Sequence, residues 1–197
     1  VRTWRVALAG TLGYVAGTLP SAAIAARVSG SRSDLLTAGS GNPGAFNAGS
    51  QLGRGWGIAV GVADIAKGTL AAWAGRKVGG DDGCYLAATT VVAGHMYPPR
   101  RRGGRGVATS FGAVMVAFPL FAPVDFAVAA AVVAVRRHAP RGTRSAPAVL
   151  ASSSAFLLLS SLWSWKRWPN PGGPASGRAM LAYAIATAAL VLPRWVR

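Results

Sequence analysis

The amino-acid sequence predicts an all-α fold: a polytopic transmembrane helix bundle of about seven helical segments, some short or partial, forming one domain over residues 1–197. Three observations carry that expectation. Of the 197 residues, 52% are hydrophobic and only 13% are charged, about half the usual charged share. The apolar residues gather in runs, several long enough to cross a bilayer. The 21 Lys and Arg residues, set against 5 Asp and Glu, sit mostly in short loops between those runs. A net charge of +16 would also suit a nucleic-acid partner. The sequence carries no nucleic-acid-binding motif, however, and basic loops between spans are what the positive-inside rule produces, so no nucleic acid is expected. Cys84 stands alone, which excludes an intrachain disulfide. His95 and His138 have no carboxylate or thiol at metal-ligand spacing, so neither a metal nor a cofactor is expected.

The first apolar run is Val6 to Val28, entered through Arg2, Trp4 and Arg5. A basic start and the small-residue string 21–26 resemble a signal peptide, but Gly10, Gly13 and Gly17 suit close helix packing, so a retained span is expected. Pro20 predicts a kink within it. A loop follows from Ser29 to Arg54, then a second span from Gly55 to about Trp73. That span carries Asp64 and Lys67 three residues apart, on one helical face. Charges at that depth either neutralise each other structurally or line a polar site, and the spacing suits both readings equally. Arg76, Lys77, Asp81 and Asp82 read as a short mixed loop. Gly83 to Tyr97 is a third, shorter segment, Val107 to Ala122 a fourth and Val124 to Val135 a fifth, beginning at Asp125. The loop Arg136 to Ser145 is basic, with Arg136, Arg137, His138, Arg141 and Arg144. Ala146 to Trp163 is the sixth run, the Pro- and Gly-rich stretch Trp165 to Arg178 an external loop, and Ala179 to Leu192 the last run.

Two loops stand out from this frame. Gly39 to Asn47 reads Gly-Ser-Gly-Asn-Pro-Gly-Ala-Phe-Asn. Its glycines can turn backbone N–H groups toward one point, while Ser40, Asn42 and Asn47 add neutral hydrogen-bonding groups. Such a loop is either a cradle for anionic oxygens or an ordinary turn. Arg100 to Thr109 reads Arg-Arg-Arg-Gly-Gly-Arg-Gly-Val-Ala-Thr and runs straight into an apolar segment. Backbone donors, the positive end of a helix dipole and guanidinium forks together suit phosphate. Three adjacent arginines also serve simply as a positive-inside anchor. With seven segments, the side holding both loops carries nearly twice as many basic residues as the other. The expected topology therefore puts the N-terminus outside and both motifs in the cytoplasm. Tryptophans near the segment ends fit an interfacial belt.

With both loops in view, the sequence resembles a known family. Gly39-Ser40-Gly41-Asn42-Pro43-Gly44-Ala45 with Asn47, Asp64-Ile65-Ala66-Lys67-Gly68, Gly94-His95 with Pro98, and Gly103-Gly104-Arg105-Gly106-Val107-Ala108-Thr109 occur in family order. They look like the motifs of the bacterial integral-membrane glycerol-3-phosphate acyltransferases that use acyl phosphate (the PlsY type). The match is specific over about Tyr14 to Gly112 and rests on hydropathy beyond it. The resemblance implies transfer of a fatty acyl group from acyl phosphate to the 1-hydroxyl of glycerol 3-phosphate, giving lysophosphatidic acid in a bacterial plasma membrane. It implies catalytic positions at Ser40, His95 and, on a looser alignment, Ser145. It implies substrate binding by Gly39, Gly41, Asn42, Gly44, Asn47, Lys67, Arg102, Gly103, Gly104, Arg105, Gly106 and Thr109. No base is spaced to activate Ser40, so positioning and charge stabilisation, rather than a covalent serine intermediate, are expected to carry the chemistry.

The sequence also departs from the family pattern. Phe46 stands where the family has threonine, and Ser50 where it has arginine; Arg54 is the nearest basic substitute. Arg102 and Arg105 replace lysines, which keeps charge but changes hydrogen-bond geometry. The family carries a histidine-and-asparagine motif after its final span, where this sequence reads Leu192-Pro193-Arg194-Trp195-Val196-Arg197. These departures define the alternative expectation, a non-catalytic membrane protein that binds anionic lipid or phosphorylated metabolites through the same loops.

Overall fold

A computed structural model describes residues 3–135 and 145–195, and every described apolar run is helical. The helices are α1 (Thr3–Gly17), α2 (Ser21–Val28), α3 (Ala45–Leu52), α4 (Arg54–Met96), α5 (Val107–Ala117), α6 (Ala122–Val135), α7 (Ser145–Lys166) and α8 (Arg178–Val191). Three stretches are long and apolar enough to cross a membrane: Thr3–Val28, Arg54–Met96 and Ala146–Lys166. α5, α6 and α8 are shorter than the roughly 20 residues a full span needs, as expected of partial helices. The basic residues Arg136, Arg137, His138, Arg141 and Arg144 lie outside the described residues. Ser145 opens α7, but its side chain is also outside them.

Three boundaries differ from the sequence expectation, each for a local reason. Pro20 does more than kink the first run, because the chain leaves helical geometry after Gly17 and restarts at Ser21. The expected loop around Arg76 and Asp81 is helical: α4 runs for 43 residues and breaks only at Gly80 (φ 65°, ψ −152°). That conformation belongs almost exclusively to glycine, so one residue performs the turn a loop was expected to make. The fourth run ends at Ala117 because Phe118, the residue before Pro119, is held out of helical geometry (φ −145°, ψ 71°).

Small residues set how closely the segments pack. α1 lies along the second arm of α4 (residues 81–96), where a methyl group on Gly13 would fall 2.7 Å from the Ala87 carbonyl oxygen. The first arm (residues 54–79) crosses α5 where Gly68 and Gly112 bring the two backbones together. The main core joins α4, α5, α7 and α8 through residues such as Val91, Met96, Phe118, Phe156 and Tyr183. The Gly80 bend is fastened by the 167–177 loop: Arg76 donates to the Gly172 and Gly173 carbonyls at 2.8 Å, and Asp81 accepts from the Ala175 N–H at 3.0 Å. A second, smaller cluster of Ala22, Ala25, Leu35, Ala48 and Val60 underlies the first glycine-rich motif at the opposite end.

Candidate active site

The first motif is not a free loop throughout. Its last three residues, Ala45, Phe46 and Asn47, open α3, with Gly44 extended (φ −134°) at the N-cap. Ala45, Ala48 and Leu52 recur at helical spacing and face the small cluster, which explains the extra helix. Asn47 is 3% exposed, and its amide organises the loop. Its Oδ1 accepts from the Ser40 N–H at 3.0 Å, while Nδ2 donates to the carbonyls of Leu35 (3.0 Å) and Ala38 (3.1 Å). Both amide hydrogens are thereby used on the protein's own backbone. Gly39 and Gly41 adopt positive φ (60° and 64°), and the loop they shape leaves Ser40 exposed. Phe46 is 87% exposed, so the departure from threonine places an aromatic ring outside the packed interior.

The second motif folds back onto the end of α4. Gly103 and Gly104 press against His95 and Met96, and the Gly104 N–H donates to the His95 carbonyl at 3.2 Å. A Cβ on Gly104 would lie 2.3 Å from His95 Nε2. Only glycine permits that approach, which brings the loop onto the imidazole. Gly106 is left-handed (φ 84°) and caps α5, so the open N–H groups of the first turn of α5 face this end of the bundle. Arg105 stacks over Trp195, its guanidinium carbon 4.5 Å from the ring centroid, and Arg194 lies 4.8 Å over Tyr97. The segment after α8 therefore fastens the second loop.

Between the motifs lies a cavity of ≈ 180 Å³. Its walls come from the α1–α2 break, the segment 33–36, Pro43 of the first motif, and His95, Pro98 and residues 101–104 of the second. The two glycine-rich loops thus meet at one end of the bundle. Of the expected site residues, His95, Arg102, Gly103 and Gly104 line the cavity directly, joined by Arg101. Gly39, Ser40, Gly41, Asn42, Gly44 and Asn47 are not among its lining residues; Pro43 alone represents the first motif there. Lys67 sits one layer behind, in contact with His95. Arg105 and Gly106 hold the loop, and Thr109 is fully buried beneath it.

Behind His95 is a buried polar chain. The Asp64 carboxylate is 2% exposed and Lys67 7%. Lys67 Nζ lies 2.7 Å from Asp64 Oδ1, 2.7 Å from His95 Nδ1 and 3.3 Å from the Leu19 carbonyl oxygen. Ser21 donates its hydroxyl to the same Asp64 oxygen at 2.5 Å. The face shared by Asp64 and Lys67 was legible from their spacing. Ser21 was not, because its partner lies 43 positions away and only the break at Pro20 turns α2 toward it. Among the described residues no group of His, Cys, Asp and Glu side chains could hold a metal ion.

Fold and cavity together define a polytopic membrane protein with a cavity at one end of its bundle, lined by Arg101, Arg102, Gly103 and Gly104 together with Asp34 and apolar residues. The profile of the glycerol-3-phosphate acyltransferase family matches residues 7–196. A Deinococcus radiodurans protein, glycerol-3-phosphate acyltransferase 1, is 35% identical over 159 residues, 79% of each chain. Its Moorella thermoacetica counterpart is 30% identical over 195 residues, covering 98% of this chain and 91% of that one. The crystal structure of PlsY (YgiH), an integral membrane glycerol 3-phosphate acyltransferase, in its glycerol 3-phosphate form superimposes with a TM-score of 0.77 at 27% identity. It covers 96% of this chain and 87% of that one. The lysophosphatidic acid form gives a TM-score of 0.73. This chain belongs to the glycerol-3-phosphate acyltransferase family.

Proposed function

We propose that the protein transfers a fatty acyl group from acyl phosphate to the 1-hydroxyl of glycerol 3-phosphate, producing lysophosphatidic acid and inorganic phosphate. One observation carries the reading: Pro43 of the first motif and residues 101–104 of the second, contributed by distant stretches of chain, line a single cavity with His95. In the reaction the substrate hydroxyl oxygen bonds to the acyl carbonyl carbon, and the bond from that carbon to the phosphate oxygen breaks. The phosphate leaves with the electron pair and takes up the hydroxyl proton, so the products are the ester and the hydrogen-phosphate dianion. A mixed anhydride needs no covalent serine intermediate, so the site's work is placement and charge stabilisation.

Roles follow from position. Arg101, Arg102 and the Gly103 N–H take phosphoryl oxygens, with Lys67 adding positive charge from behind. Arg105, stacked on Trp195, and the turn at Gly106 keep that loop in register. On the other rim, Gly39, Gly41 and Gly44 hold the Ser40 hydroxyl and the Asn42 side chain toward the second substrate, over the frame set by Asn47. Thr109 supports the first turn of α5, and Ser145 is assigned to the same site from the family resemblance. The acyl tail extends among the helices, with the catalytic end facing the cytoplasm of a bacterial plasma membrane and the N-terminus outside.

The test uses membranes containing the protein, labelled glycerol 3-phosphate, and either acyl phosphate or acyl-coenzyme A. Lysophosphatidic acid should form with acyl phosphate; no product above empty-vector membranes refutes the activity, and product from acyl-coenzyme A alone refutes the donor. Labelling of single cysteines at Ser33 and at Ser176 from each side of sealed vesicles tests the topology. Labelling of Ser33→Cys from outside intact cells refutes it.

A further inference from the structure

We propose that Ser21 and Asp64 are positioning residues, which fix Lys67 so that His95 offers an Nε2–H donor, not a base, to an oxygen of the bound substrate. The inference rests on the acyltransferase reading for its substrate, but its hydrogen-bond pattern can be measured without it.

The argument is a count of donors. A lysine ammonium carries three N–H groups and no acceptor. Three acceptors surround Lys67 Nζ: Asp64 Oδ1 at 2.7 Å, His95 Nδ1 at 2.7 Å and the Leu19 carbonyl oxygen at 3.3 Å. All three hydrogens therefore have partners, and the one directed at His95 requires a lone pair on Nδ1. The ring proton then sits on Nε2. His95 Nδ1 is 3.7 Å from Asp64 Oδ1, beyond hydrogen-bond reach, so the carboxylate does not compete with the ammonium for that nitrogen. Ser21 completes the arrangement by donating to the same Asp64 oxygen, which orients the carboxylate toward Lys67.

A purely structural ion pair would need only Asp64 and Lys67. Here the pair sits one layer behind the cavity wall and spends one ammonium hydrogen on a histidine that lines it. No protein acceptor for Nε2 is found among the described residues; Gly104 packs against that nitrogen without a Cβ, and both residues line the cavity. The first arm of α4, through Asp64 and Lys67, joins two separate pieces of the cavity wall from behind: the α1–α2 break through Leu19 and Ser21, and the second arm through His95. A donor at that point stabilises charge growing on the acyl carbonyl or the departing phosphate. It does not remove the proton from the attacking hydroxyl.

The experiment uses the purified full chain in lipid nanodiscs, with nitrogen-15 histidine labelling in a His138→Gln background, where His95 is the single histidine. The Nε2-protonated tautomer is expected. Ser21→Ala should lower kcat about three- to tenfold, leave KM for glycerol 3-phosphate within twofold, and mix the two tautomers. His95→Gln keeps an N–H and should retain at least a tenth of kcat, whereas His95→Phe should lose about a hundredfold or more. An Nδ1-protonated ring in the unsubstituted site overturns the proposal. So do equal losses in His95→Gln and His95→Phe, with unfolding midpoints unchanged. Ser21→Ala is expected to fold, since it deletes one hydroxyl from a partly exposed position. A wild-type protein inactive with acyl phosphate would sink the acyltransferase reading alone, because the tautomer is read in its spectrum regardless.

Discussion

Gly104→Ala tests the close approach on which the pocket depends. The new Cβ would lie 2.3 Å from His95 Nε2 and 3.0 Å from Cε1, whereas ordinary contact begins at 3.4 Å. The loop and the ring must therefore separate by about 1.1 Å along the shorter direction. The ring cannot supply that movement cheaply, because its Nδ1 is held 2.7 Å from Lys67, which is itself pinned by Asp64 and Leu19. The loop must yield instead, carrying Arg101, Arg102 and Gly103 with it. A displacement of about 1 Å at a positioning element costs on the order of a hundredfold in rate. That loss corresponds to about 2.7 kcal/mol of transition-state stabilisation. Overpacking also lowers fold stability by about 1–3 kcal/mol. The assay is kcat/KM for labelled glycerol 3-phosphate in membranes, with the thermal midpoint of the purified protein as the folding control. Gly55→Ala is the matched comparison: nothing lies within 4 Å of its added Cβ and its φ is ordinary for a helix, so activity should stay within twofold. If Gly104→Ala also stays within twofold, the imidazole and the glycine-rich loop do not form one rigid wall, and the reasoning fails.

Other perturbations have equally direct expectations. Asn47→Ala removes the hydrogen bonds that set the first loop and should lower activity roughly tenfold, while leaving buried carbonyls at a cost of about 1–3 kcal/mol. Asn47→Asp turns a carboxylate oxygen toward the Leu35 and Ala38 carbonyls and should be worse than alanine; a milder effect would refute the hydrogen-bond assignment. Gly80→Ala forces a side chain into a conformation reserved for glycine and should destabilise the fold by about 1–3 kcal/mol, read as a lower unfolding midpoint in detergent. In a double-mutant cycle, Arg105→Ala and Trp195→Ala should couple by about 0.5–2 kcal/mol in kcat/KM, whereas additive losses would show that the stacking does not hold the loop.

The fold was legible because hydropathy alone sets where helices cross a membrane, and all the described apolar runs are helical. The boundaries were less so, since they depend on single residues whose effect is geometric. Nothing in the local composition marks Gly80, rather than Gly79, as the residue that reverses the chain. The expected loop at 76–82 failed because Arg76 and Asp81 find partners on the distant 167–177 segment, which lets charged residues remain helical there. At the site, spacing disclosed Asp64 with Lys67, and glycine content disclosed both loops. Neither could disclose that Asn47 is turned inward to hold its own loop, because an asparagine in a glycine-rich motif reads equally well as a ligand contact. Ser21 carried no signal, and Trp195 showed only as one of several tryptophans near segment ends. Both act through partners far away in sequence.

The distribution of charge around the cavity explains why a buried ion pair stands here in a bundle with so few acidic residues. Around the cavity, Arg101 and Arg102 supply positive charge from the exposed side, with Asp34 as the one carboxylate among the lining residues. A further unpaired ammonium behind His95 would have to be desolvated inside the bundle without compensation, at several kcal/mol. Asp64 supplies the compensation, and Lys67 meets the cavity through His95, which lines it. Breaking the pair should therefore cost more than deleting it. Lys67→Met alone leaves Asp64 buried with only the Ser21 hydroxyl, and should destabilise the protein by about 3–5 kcal/mol. Lys67→Met combined with Asp64→Leu restores neutrality and should recover at least half of that loss in the unfolding midpoint. It should recover none of the activity, because His95 Nδ1 has then lost its donor. Recovery of activity along with stability would show that the pair serves the fold alone and that the imidazole needs no partner behind it.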